Sequence, residues 1–185
     1  STLAAAYGYR LQKYHHLQSQ QDYLILSESP ENNGNRRFWG TYVFRLGPAE
    51  PIIVQIPRPL YELNTFEFGT TFVEETQASV LMIAGGHPYT NPDGTSDILH
   101  PSNPQSLFNL VHQVWLREAK TSALNAIQIR AFGNAEVLSK SEADVILSSF
   151  YQLENDPWTD RLEAQLAKMG LETEKVQGEQ STRGY

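Results

Sequence analysis

Hydrophobic and polar positions along the 185-residue chain switch between a helical and a strand period, and the switches predict its elements. Leu3, Tyr7, Leu11, Tyr14 and Leu17 recur at helical spacing, so residues 2–21 read as an N-terminal helix with a solvated Gln/Ser end. Residues 22–27 (DYLILS) read as a strand, and 30–35 as a turn rich in Asn and Gly. A second strand is expected over 38–46 (FWGTYVFRL). The short connection 47–51 into 52–56 (IIVQI) predicts an antiparallel hairpin.

Asn64, Thr65 and Glu67 have the pattern of a capped helix start, with Asn64 accepting from the first-turn amides. That helix is expected to run to about Gln77 with Phe66, Phe72 and Val73 inward. The apolar run 79–84 (SVLMIA) has the length of a strand covered on both faces. After the long loop 85–103, Asn103-Pro104 reads as cap and first-turn proline of a helix carrying Leu107, Leu110, Val111 and Val114 on one side. Residues 126–129 and 144–148 (DVILS) read as strands. Asp156-Pro157 opens a last helix with Leu162, Leu166 and Met169 inward, closed by Gly170, and 171–176 adds an edge strand.

Alternation of this kind predicts an α/β fold, three-layer α/β/α, around a mixed, mainly parallel central sheet. A single domain is expected over 1–176, with 177–185 a disordered or truncated tail. With 40% hydrophobic and 19% charged residues, the chain has material for a core and too little charge for disorder. A net charge of -7 argues against nucleic-acid partners. The absence of cysteine excludes disulfides, thiol nucleophiles and cysteine-based metal sites. No apolar run approaches the roughly 20 residues that span a bilayer, so no direct membrane insertion is expected. The start at Ser1 without Met suggests a piece of a larger chain or complex.

In parallel sheets, sites lie beyond the carboxyl ends of strands. After Ile56, the stiff turn Pro57-Arg58-Pro59-Leu60-Tyr61-Glu62 would hold Arg58 and Glu62 at the rim; a solvated surface ion pair is the plainer alternative. After Ala84, Gly85-Gly86 would present His87, either as a ligand or as an ordinary hydrogen-bonded side chain. Asp97-x-x-His100 could give a metal one carboxylate and one imidazole. Arg130 follows the strand ending at Ile129, and Glu154, beyond Ser148, is a candidate general base. His15, His16 and His112 read as ordinary helix residues. No G-x-S-x-G elbow or phosphate-binding glycine motif is present.

This arrangement resembles a group of zinc enzymes: carboxypeptidases, N-formylglutamate amidohydrolases and phage-type poly-γ-glutamate hydrolases. Residues 54–69 (VQIPRPLYELNTFEFG) look like the group's first motif, with Arg58 where its first ligand His stands and Glu62 as the acidic ligand. Residues 127–133 (IQIRAFG) look like the second, with Arg130 in place of the second His. A guanidinium has no lone pair for a metal, so the resemblance implies either a degenerate relative or a relocated site. A relocated zinc site would use Glu62, His87, Asp97 and His100, with Arg58, Arg130 and Tyr89 binding substrate and Glu154 as the base. The implied function is a metal-dependent hydrolase acting on an amide, peptide-like or acidic polymer substrate. The alternative is an inactive binding or scaffold domain of a larger envelope or polymer-synthesis assembly; under either reading a small anionic or peptide-like ligand and a periplasmic or extracytoplasmic setting are expected.

Overall fold

The structure is a computed structural model that describes residues 2–30, 36–100, 103–119, 124–131, 143–149 and 156–177. The chain divides into two compact units, Ser1–Ala131 and Phe132–Tyr185.

The first unit is a mixed α/β fold built on a six-stranded sheet of order β1-β2-β3-β5-β4-β6. Its strands are β1 Tyr9–His16, β2 Gln21–Glu28, β3 Thr41–Arg45, β4 Glu50–Ile56, β5 Ala78–Ile83 and β6 Asn125–Gln128. The expected N-terminal helix is largely replaced by strand. Only α1, Thr2–Ala6, is helical, and Gly8 at φ 74 turns the chain into β1. Pairing with β2 along the full length of β1, from Tyr9↔Glu28 to His16↔Gln21, overrides the local periodicity that suggested a helix.

The expected β3–β4 hairpin is also overturned. β5 lies between them, antiparallel to β3 and parallel to β4. The physical reason lies in the apolar runs of β4 and β5, which are buried on both faces and therefore occupy the sheet centre together. The sheet is consequently mostly antiparallel: three of its five pairings are antiparallel, and only β4–β5 and β4–β6 are parallel. Gly40 makes the tight join. At φ +100 it lies so close to β5 that an added Cβ would sit 1.8 Å from the Ile83 carbonyl oxygen.

Alternate residues of β4 feed two cores. Ile53 joins Tyr9, Tyr42, Val80, Met82, Ile98 and Phe108, whereas Ile52, Val54 and Ile56 join Val73, Ala78 and Leu81. Val73 comes from α2, Thr65–Thr76, and Phe108 from α3, Leu107–Glu118. Both helix starts differ from expectation. Asn64 is left-handed (φ 62) and makes no side-chain cap, and Phe66 is exposed rather than inward. The α3 cap is Ser106, whose hydroxyl accepts from the Asn109 amide, because Asn103 is engaged within the preceding loop. Leu110 and Val114 face outward on α3; Leu107, Phe108, Val111 and Trp115 face the core.

The second unit pairs β7, Val145–Ser149, with β8, Thr173–Gln177, in parallel, crossing over through α4, Pro157–Lys168. β7 therefore belongs to a separate two-stranded sheet. The Asp156 carboxylate caps α4 by accepting from the Thr159 amide, Leu166 is buried, and Met169 is exposed. Lys175 on β8 pairs with Asp160 and Glu163 of α4 at 3.0 and 2.6 Å.

Candidate functional site

The parallel strands β4, β5 and β6 end on one rim of the first unit. Beyond β4 the chain turns back through Tyr61 and Glu62 amides donating to the Arg58 carbonyl (3.1 and 2.9 Å). The turn sets Arg58 and Glu62 on separate partners rather than on each other. Arg58 donates to Asp97 from Nη2 at 2.9 Å and from Nε at 3.3 Å. Arg130, beyond β6, donates to Glu62 from Nη2 at 2.7 Å and from Nε at 2.9 and 3.0 Å, and the Ala131 amide adds a fourth contact at 3.1 Å. The plain expectation of a solvated Arg58–Glu62 pair is thus replaced by two crossed, largely buried pairs; Glu62 is 6% exposed and Asp97 8%. Two-pronged guanidinium–carboxylate contacts hold geometry tightly and neutralise both partners.

The loop after β5 is a chain of short turns. Backbone amides of Thr90, Gly94, Asp97, His100 and Asn103 each donate three residues back. Buried Ser96 donates to the Pro88 carbonyl, and Asn103 Nδ2 donates to the carbonyls of Gly94 and Asp97, both at 2.7 Å. These bonds fix Asp97 for Arg58. Sequence reading missed Ser96 and took Asn103 for a helix cap. The signal was the density of Asn, Ser, Thr and Asp in the loop, residues that bond local backbone.

His87 and Tyr89 meet at the mouth of this loop. The His87 ring lies 5.2 Å from Tyr61, edge-on, and 5.4 Å from Tyr89; Tyr61 and Tyr89 are 5.8 Å apart. Tyr61, not singled out from sequence, joins this cluster to Arg58, whose guanidinium carbon is 6.0 Å from its ring. His87 Nδ1 accepts from the Tyr89 amide at 3.3 Å. The His100 ring lies beside Gly94 on the turn that follows Asp97. Glu154 lies outside the described residues.

The donor set does not fit zinc. Glu62 and Asp97 are both engaged by arginine, and Asp97 Oδ1 also accepts from the Leu99 amide. Among the described residues, no three His, Asp or Glu side chains are grouped to hold an ion.

Next to the Arg58–Glu62 turn is a hollow of about 440 Å³. It is lined by Pro59, Leu60, Leu63 and Phe66, by the polar Glu62, Asn64 and Glu67, and by Ile83–Gly85 at and just beyond the end of β5. Leu63 is 83% exposed and Leu60 70%, so large apolar side chains stand unburied around it.

Behind the rim, a polar chain crosses the sheet. His112 of α3 is half-buried, and its Nδ1 accepts from Gln55 Nε2 at 2.7 Å. Gln55 Oε1 accepts from Gln128 at 3.3 Å, and Gln128 Oε1 meets Arg130 at 3.5 Å. Burial lowers the His112 pKa. No family model, curated protein or solved structure matches the chain.

Proposed function

We propose that the chain is a non-catalytic binding domain for a peptide-like ligand, whose apolar side chains enter the hollow beside the Arg58–Glu62 turn. The observation that carries this reading is the engagement of both candidate carboxylate ligands, Glu62 and Asp97, by Arg130 and Arg58. Freeing either carboxylate for a metal would leave a buried guanidinium uncompensated, a cost of several kcal/mol. Each arginine is neutralised by its own carboxylate, so the rim offers shape and apolar surface more than positive charge. In this reading the two pairs brace the turn, and Leu60, Leu63, Phe66 and the Tyr61–His87–Tyr89 cluster make the contacts. The residues of α2 and α3 in the two cores support a three-layer arrangement around β4, β5 and β6.

The test has two arms on the full chain. Equilibrium dialysis against zinc should leave well under one equivalent bound; stoichiometric zinc lost on His87→Ala would overturn the reading in favour of the hydrolase. A series of N-acetylated hydrophobic dipeptide amides, titrated by NMR, should shift the amides of 60–66 and 83–85, and Leu63→Glu should abolish those shifts.

A further inference from the structure

β1 is the outer strand of the six-stranded sheet, and among the described residues no strand pairs with its free edge. Residues 10–15 are exposed on both faces of the sheet. The hydrogen-bond phase of this edge follows from one bond. The Ser29 amide donates to the Gly8 carbonyl, which continues the β1–β2 register one step beyond Tyr9↔Glu28. Bonded and non-bonded pairs alternate in an antiparallel ladder. Arg10, Gln12, Tyr14 and His16 therefore bond inward to β2, and the backbone groups of Tyr9, Leu11, Lys13 and His15 point away from the sheet.

The side chains on this strand are one-sided in charge. β1 carries Arg10, Lys13, His15 and His16 and no carboxylate, within a chain of net charge -7. Its internal neutralisation is partial. Asp22 on β2 serves both Lys13 (2.5 Å) and His15 (2.7 Å), and those contacts, Lys13 foremost, hold its pKa below the usual carboxylate value. Arg10 and His16 have uncharged partners, Ser27 at 3.1 Å and Ser19 at 2.7 Å. Leu11 and Tyr14 add apolar surface, one on each face of the strand; Tyr14 is 50% exposed. Lysine and arginine on an edge repel a second copy of the same strand. The same charges favour an acidic one.

We propose that β1 is a β-augmentation site for an acidic, extended peptide segment of a partner protein. The segment would bond to the outward backbone groups of Leu11, Lys13 and His15. Its carboxylates would face Arg10 and Lys13, and apolar residues between them would face Leu11 and Tyr14. Neighbouring strands lie about 4.8 Å apart, inside the roughly 8 Å screening length at physiological salt. At that spacing the carboxylates of an added strand would meet Arg10 and Lys13 directly, with little screening between them.

The probe is a fluorescein-labelled peptide of three Glu-Val-Thr repeats, which sets carboxylates on both faces of an added strand, with Lys-Val-Thr repeats as control, added to the full chain. The acidic peptide should raise anisotropy, weaken severalfold between 50 and 300 mM salt, and shift the amides of Tyr9, Leu11, Lys13 and His15, with little binding of the lysine peptide. Arg10→Glu/Lys13→Glu should reduce affinity at least tenfold. Leu11→Pro removes one outward donor, leaves the β2-facing bonds, and should reduce affinity similarly with the circular dichroism spectrum retained. Should Leu11→Pro fail to fold, the charge-reversal pair decides alone. Equal binding of both peptides, shifts confined to another part of the chain, no binding of the acidic peptide at millimolar concentration, or a concentration-dependent dimer abolished by Leu11→Pro would each overturn the proposal.

Discussion

Glu62 accepts four hydrogen bonds, three from Arg130 and one from the Ala131 amide, in a site that water barely reaches. Removing one member of such a pair leaves a buried charge without compensation, which costs about 3–5 kcal/mol. Glu62→Ala should therefore lower stability by about that amount in urea denaturation. A loss below about 1 kcal/mol would show that the pair is effectively solvated. His112 presents the opposite case, a group the fold prefers neutral, because burial disfavours its cation. Its folded pKa lies below the ordinary 6.5, so between those two values the unfolded chain binds more protons. Stability should fall as pH drops through about 6.5 and level off, for this group, below the folded pKa. A His112→Asn variant should show a shallower decline than the parent between pH 7.5 and 5, measured by paired urea titrations. Identical slopes would dissociate His112 from the pH response.

At the scale of elements, caps and crossovers decide how the rim is built. Ser106 is buried, and its hydroxyl accepts from the Asn109 amide at the start of α3. Ser106→Ala should cost about 1 kcal/mol, read from the shift in urea midpoint at unchanged slope. Elements with strong local codes were legible in the sequence: the apolar run of β5, the Asp156-Pro157 start of α4, and α2 after the Pro57–Glu62 turn. Elements decided by distant pairing were not. β1 carries sparse apolar residues that fit a helical period, and its identity is set by β2, reached through a four-residue turn. The β3–β4 neighbourhood failed for the same reason, since short loops predict hairpins until a later strand claims the space. The site was half legible. Strand-end reasoning brought Arg58, Glu62, Asp97 and Arg130 to one rim, but the pairing could not be read, because it depends on which arginine reaches which carboxylate across 39 and 68 residues of chain. The density of polar loop residues held the clue to the rest.

At the scale of the molecule, the first unit's sheet and cores draw, among the described residues, on that unit's own residues. All six strands and both cores are built from residues between 4 and 129. A chain ending at Ala131 should fold alone, with a dispersed amide spectrum and a single cooperative urea transition. A collapsed spectrum without a cooperative transition would mean that 132–185 is required for the fold.

The place of β5 bears on how the protein is made. Synthesis delivers β3 and β4 before the strand that separates them, so a nascent chain that has left the ribosome only as far as Gln77 holds two unclosed margins facing an empty slot. Tyr42, Val43, Ile53 and Val54 then lack the neighbours that later cover them. Emergence of residues 78–83 closes both margins at once, and the interval before it is when this chain is most open to pairing with the wrong strand.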